Sequence, residues 1–294
     1  MWIFSSFPNG IVRTVKSWKG VLIIWVFSLL LVSSLALPLK GSLKSGLGSS
    51  MITERLSEGI DVETLVDLGA GMKSLFSSFA AGFFFILVLG FLMNTFLTGG
   101  LFSSLRGEPQ KFSASKFFRS AAENFWPFLI ISLVIICIIL FQALIIIIIP
   151  VSIVMGSESV TEPEIFNSII ITCSISGFVM LILLLVADYA RAWQVAQPGP
   201  ASFKAIGFGF RETFSTFFTS FPLMLLVVIL QLLFGWLVFE ILPSWRPSTG
   251  GGVFLLFLVS QLFFIMKIML RTLRYASVTS LMQQRFMTDI ILTP

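Results

Sequence analysis

Residues 128–149 read FLIISLVIICIILFQALIIIII, a long apolar run without an Asp, Glu, Lys or Arg side chain, and this stretch decides the fold class. It matches the roughly 20 residues that an α-helix needs to cross a bilayer. Its Ile and Val content favours a strand in water, but that preference is under about 1 kcal/mol per residue. An unpaired amide in hydrocarbon costs more, so the backbone must satisfy itself as helix. Five other runs have the same character, and the predicted spans are 21–37, 75–97, 128–149, 167–187, 221–239 and 253–270. The expected fold is all-α and integral to the membrane. It is one polytopic domain over residues 1–294, with six transmembrane helices in three hairpins and an outer loop at 38–74.

Composition agrees. A chain of 294 residues has the length for two soluble domains, yet 56% hydrophobic and 11% charged residues leave too little polar surface to dissolve them. The net charge of +5 conceals an asymmetry across the predicted membrane. Fourteen basic residues lie on the side of both termini, among them Arg13, Lys16, Arg106, Lys116, Arg191, Arg211 and Arg285, against five on the other side. The other side also carries nine of the fourteen acids. Basic loops resist translocation, so both termini are expected to be cytoplasmic. Clusters of three or four cations per loop suit anionic lipid headgroups rather than nucleic acid. Arg13, Lys16 and Lys19 before an apolar run ending Ser34-Leu35-Ala36 have the order of a signal peptide, but the run is long for one and five spans follow. Cys137 and Cys173 lie mid-span without a motif and read as small apolar side chains.

Each odd-numbered span is preceded by a short amphipathic segment on the terminal side. In the middle copy, Ala114, Phe117, Phe118, Ala121, Ala122 and Phe125 share one helical face, opposite Lys116, Arg119, Ser120 and Glu123, after a cap at Ser113. The third copy sets Phe203, Ile206, Phe210, Phe214 and Phe217 against Lys204 and Arg211. The first sets Phe7, Ile11, Val15 and Trp18 against Arg13 and Lys16. Such helices are expected to lie in the membrane interface with their aromatic side chains in the acyl boundary. Phe117, Phe118, Phe125, Trp126 and the chain's two tyrosines, Tyr189 and Tyr275, are the expected interfacial side chains. The tyrosines sit in matching settings, Asp188-Tyr189-Ala190-Arg191 and Arg274-Tyr275-Ala276-Ser277, where spans four and six end. Three copies of one unit account for these recurrences; hairpin construction alone is the simpler alternative.

Candidates for chemistry are few. Histidine is absent, which removes the commonest general base and metal ligand. No paired intramembrane acids and no phosphate-binding glycine loop occur, so no catalytic residue, metal ligand or cofactor site is expected. The ionisable residues nearest lipid are Asp188, Arg191, Lys267, Arg271 and Arg274, the last three at helical spacing along span six. Because an unpaired charge there is costly, Asp188 or a neighbour is expected to pair with Arg271 or Arg274. The competing reading is that the basic ends snorkel to headgroups. Asn94, Gln142, Gln231 and Gln261 are expected to hydrogen-bond to neighbouring helices.

The segments KFSASKFF (111–118), FWPF (125–128) and ADYAR (187–191) resemble uncharacterised six-span bacterial inner-membrane proteins. They are also distantly similar to the membrane portion attached to some glycerophosphodiester phosphodiesterases. The resemblance implies a six-helix bundle in a bacterial cytoplasmic membrane and transfers no catalytic residue. The function expected is that of a non-enzymatic accessory or scaffold component that binds partner proteins or lipid. A transporter or channel for a small or amphipathic solute is the alternative.

Overall fold

A computed structural model describes residues 2–47, 69–106, 112–156, 161–197, 199, 201–245 and 249–292. Every regular element among them is helical. The helices are α1 (Trp2–Lys16), α2 (Trp18–Leu47), α3 (Gly69–Arg106), α4 (Ala114–Glu123), α5 (Phe125–Ala143), α6 (Ile149–Met155), α7 (Glu162–Ala196), α8 (Ser202–Ser215), α9 (Phe217–Ser244) and α10 (Gly250–Leu292). Among the described residues five helices are long and apolar enough to cross a membrane, which marks a multi-pass membrane protein. A sixth span is completed if Phe7–Lys16 and Trp18–Ser34, bent by 64°, are taken together.

The helices overrun the predicted spans. Hydropathy marks where lipid begins, whereas the backbone ladder continues past it. The predicted outer loop is shortened at both ends, since α2 reaches Leu47 and α3 begins at Gly69; residues 52–66, whose apolar spacing (Ile52, Leu56, Ile60, then Val62, Leu65, Val66) predicts two short helices, lie outside the described residues. Pro150, the residue after the predicted end of the third span, sits inside a continuous helix. Its missing N–H is accommodated by a π-helical turn at Leu144–Ile148, in which the Ile149 N–H bonds the carbonyl of Leu144. Helix α7 starts at Glu162 on a capping box, in which the Thr161 N–H donates to Glu164 Oε2 at 3.0 Å.

The helices form two compact units, one of Met1–Leu22 with Thr95–Pro294 and one of Ile23–Asn94. In the smaller unit α2 and α3 approach at Gly90, where an added Cβ would lie 3.2 Å from Leu31. The larger unit holds most of the core. Its buried side chains cluster at one end of the long helices: Thr95 to Leu105 on α3, Phe128 to Ile135 on α5, Leu183 to Gln194 on α7, Ser220 to Val227 on α9 and Ile268 to Met282 on α10. Farther along α5, α7, α9 and α10 exposed apolar side chains dominate.

The C-terminal part of α10 runs well beyond the predicted span end at Leu270. From Tyr275 to Met282 every residue is buried, which places this segment at the centre of the core. Its small side chains, Ala276, Ser277, Thr279 and Ser280, let neighbouring backbones come close.

Three one-residue breaks join a short helix to a long one: Ser17 between α1 and α2, Asn124 between α4 and α5, and Thr216 between α8 and α9. The short helices share a register relative to these breaks. Seven residues before them stand Gly10, Phe117 and Gly209, and three before stand Thr14, Ala121 and Thr213; all six are buried. Four residues after the breaks Val21, Phe128 and Ser220 are buried too. Each short helix packs on the end of a long one: α1 on α10, with Gly10 against Ser277; α4 on α3, with Phe117 against Gly100 and Ala121 against Gly99; and α8 on α7, with Gly209 against Val186 and Ala190. The same contact is made three times.

This packing decides which side chains of the short helices meet the protein. Along α1 and into the start of α2 the apolar stripe of Ile11, Val15 and Trp18 is exposed, while Gly10, Thr14 and the break residue Ser17 are buried. In α8, Phe203 and Phe214 point outward and Ala205, Gly209, Glu212 and Thr213 inward. In α4, Ala114 and Ala122 are exposed and Ser120 is buried. The reason is the solvent. Lipid is as apolar as Phe or Leu, so burying those side chains against protein brings little gain, and small residues that permit close approach take the contact.

Candidate functional site

Asp188 stands where the apolar stretch of α7 ends, and it is fully buried, at 0% exposure. Three residues on, Arg191 shares its helical face and places Nη1 3.5 Å from Asp188 Oδ1. From α10, Arg274 brings Nε to 2.8 Å from Asp188 Oδ2, while its Nη2 donates to Oδ1 at 3.5 Å. The short contact is an ion pair whose N–H is not aimed along a hydrogen bond. One carboxylate thus serves two guanidinium groups and ties α7 to α10.

The cluster extends further. Arg191 Nη2 donates to Ser132 Oγ at 3.0 Å, which brings in α5. Arg271, one turn before Tyr275 on α10, donates through Nε to the phenol oxygen at 2.7 Å. The Tyr275 ring lies under both cations, with Arg271 Cζ at 5.4 Å and Arg274 Cζ at 5.1 Å from its centroid. Phe102 of α3 backs that ring at 4.8 Å, and Phe128 of α5 packs edge-on against Phe102 at 5.8 Å. Four helices therefore build the site, in which Asp188 pairs with Arg191 and Arg274 while Arg271 bonds Tyr275.

The predicted residues are placed unevenly. Asp188, Arg191, Arg271 and Arg274 are brought together, whereas Lys267, one turn before Arg271 on α10, is exposed. Tyr189 and Tyr275, expected as interfacial anchors, are buried: Tyr275 beneath the arginines, and Tyr189 with its hydroxyl 3.3 Å from Thr216 Oγ1 at the α8–α9 break. Phe117 is buried against Gly100, because the glycine leaves a recess that an aromatic ring fills. Phe118 and Phe125 are half-buried, and only Trp126 of the expected set is largely exposed, at 67%. Gln142 donates to Ser176 Oγ at 3.0 Å across α5 and α7.

A second network lies at the helix ends. Arg13 Nη1 donates to Gln283 Oε1 at 2.6 Å and to the Leu105 carbonyl at 3.2 Å. Gln283 Nε2 donates to the Arg106 carbonyl at 3.2 Å, and Arg106 Nη1 to that of Val195 at 2.7 Å. These groups satisfy the last carbonyls of α3 and α7 and set positive charge against the negative helix termini. Sequence reading placed Arg13 on the polar face of the first amphipathic segment and Arg106 among the loop cations; Arg106 in the last turn of α3 is the available signal for capping. Among the described residues no group of three Cys, Asp or Glu side chains converges as a metal site. No family model, curated protein or solved structure matches the chain.

Proposed function

We propose that this is a non-enzymatic membrane scaffold or accessory component that holds lipid and partner proteins on the cytoplasmic face of a bacterial inner membrane. In this reading the chain crosses the bilayer as three helical hairpins, with both termini inside. The core end of the bundle lies at the cytoplasmic surface, and α1, α4 and α8 lie in the interface there. The observation that carries the reading is the division of labour on the short helices. Small buried residues hold α1 and α8 to the bundle, while Ile11, Val15, Trp18, Phe203 and Phe214 are left outward-facing beside basic side chains. An exposed aromatic stripe flanked by Lys and Arg is what an interfacial helix offers to acyl chains and anionic headgroups. The experiment is co-purification in mild detergent. A stoichiometric protein partner or retained phospholipid is expected, and recovery of the chain with neither would overturn the proposal.

A further inference from the structure

In the larger unit, burial stops partway along the long helices. On α7 only Thr172 and Ser176 are buried between Glu162 and Gly177. No residue is buried from Ile136 to Met155 along α5, the π turn and α6, from Val228 to Leu242 on α9, or from Gly250 to Lys267 on α10. The half-buried positions that remain recur at helical spacing on one side, as at Val228, Gln231, Phe234 and Val238 of α9. Each of these helices thus has a single packed face. Gln142 and Ser176 join α5 to α7 at 3.0 Å, and Phe234 packs edge-on against Phe263 at 5.9 Å to join α9 to α10. The two hairpins meet toward the core end. There Arg274 pairs with Asp188 at 2.8 Å, the Tyr189 hydroxyl lies 3.3 Å from that of Thr216, and the Phe178 and Phe221 rings are 5.2 Å apart. Beyond those rings the same faces part: Ile171, two turns past Phe178 on α7, is 58% exposed, and Leu232, three turns past Phe221 on α9, is 68% exposed.

We propose that the α5–α7 and α9–α10 hairpins are two legs that swing against each other about the core end. In lipid, parting two apolar helices costs little, because acyl chains replace the side-chain contacts given up. A region with few buried contacts opposes such movement weakly. The core end is held by a different force. Drawing Arg274 away from Asp188 would strand buried charges, and that is costly. The hinge therefore lies where the buried ion pair and the packed rings give way to side chains bathed in hydrocarbon. The swing is independent of which side of the membrane the core end faces, so it stands apart from the scaffold reading.

The test is electron paramagnetic resonance of paired spin labels on the full-length protein in phospholipid vesicles, with Cys137 and Cys173 replaced by Ser. All label sites are exposed, so the substitutions leave the packed faces intact. Met155→Cys with Phe166→Cys reports within the first leg, and Phe239→Cys with Phe254→Cys within the second. Phe166→Cys with Phe239→Cys spans the two legs at their far ends, whereas Gln197→Cys with Phe218→Cys spans them beside the hinge. The far spanning pair is expected to give a distance distribution about twice as broad as the other three, or broader. A far spanning distribution as narrow as those within the legs would overturn the proposal, since the hairpins would then be fixed. Equal breadth beside the hinge, or within either leg, would overturn it as well, because the core end would not be the pivot or the legs would not move as units.

Discussion

Gly207 and Gly209 lie two residues apart on α8, on opposite faces and under opposite demands. A Cβ on Gly209 would stand 2.5 Å from the Val186 carbonyl oxygen and 3.2 Å from the Ala190 backbone nitrogen, so backbone must move. Gly207→Ala meets nothing within 4 Å. Gly209→Ala should cost about 1–3 kcal/mol, whereas Gly207→Ala should be neutral or gain up to about 1 kcal/mol from helix propensity. Unfolding midpoints in detergent separate the two. At Asp188 the expectation is sharper. Asp188→Asn strands Arg274 and Arg191 without their counter-charge and should cost about 3–5 kcal/mol, with part recovered in Asp188→Asn/Arg274→Gln. Equal stability of single and double variants would mean the pair contributes little. The sequence signal for this pair is the matching Tyr-Ala settings in spans four and six together with the cost of a lone buried carboxylate. The links from Arg191 to Ser132 and from Arg13 to Gln283 have no comparable signal. They join residues 59 and 270 positions apart through polar side chains with many possible partners.

At the scale of elements, the three breaks do the work of turning short helices into long ones. At two of them the break residue bonds back four positions: Asn124 Nδ2 to the Ser120 carbonyl at 2.9 Å, and Thr216 Oγ1 to the Glu212 carbonyl at 2.7 Å. Back-bonding of this kind satisfies carbonyls freed where a helix ends and bends the chain. Thr216→Val keeps the shape and removes the hydroxyl, so it should destabilise by about 1 kcal/mol, read as a lower unfolding midpoint with secondary structure retained. The register of the breaks is written in the chain as a polar residue followed by an aromatic one: Ser17-Trp18, Asn124-Phe125 and Thr216-Phe217. The buried faces of the short helices were harder to read. Amphipathicity tells which side is apolar, but beside lipid the apolar side has two possible destinations. Close approach of Gly10, Ala121 and Gly209 to their neighbours decides between them.

For the whole molecule, the prediction concerns sidedness. In a background with Cys137 and Cys173 replaced by Ser, cysteines introduced at Lys116 and Gln284 should be shielded from a membrane-impermeant maleimide in intact cells and labelled after lysis. One introduced at Glu162 should be labelled before lysis. The reverse pattern would invert the topology and remove the cytoplasmic scaffold reading with it. The predicted spans and the charge imbalance from which this follows belong to the one-dimensional pattern, since hydropathy and loop charge act locally along the chain.

Helical class and membrane residence were decided by composition and by runs such as 128–149, because a backbone in lipid has no other way to pair its amides. Where the core sits was decided only in three dimensions. Apolar side chains in lipid gain little from meeting one another, so the buried centre formed from Tyr275 to Met282, where small residues of distant segments fit together. No periodicity along the chain records which of those segments will meet.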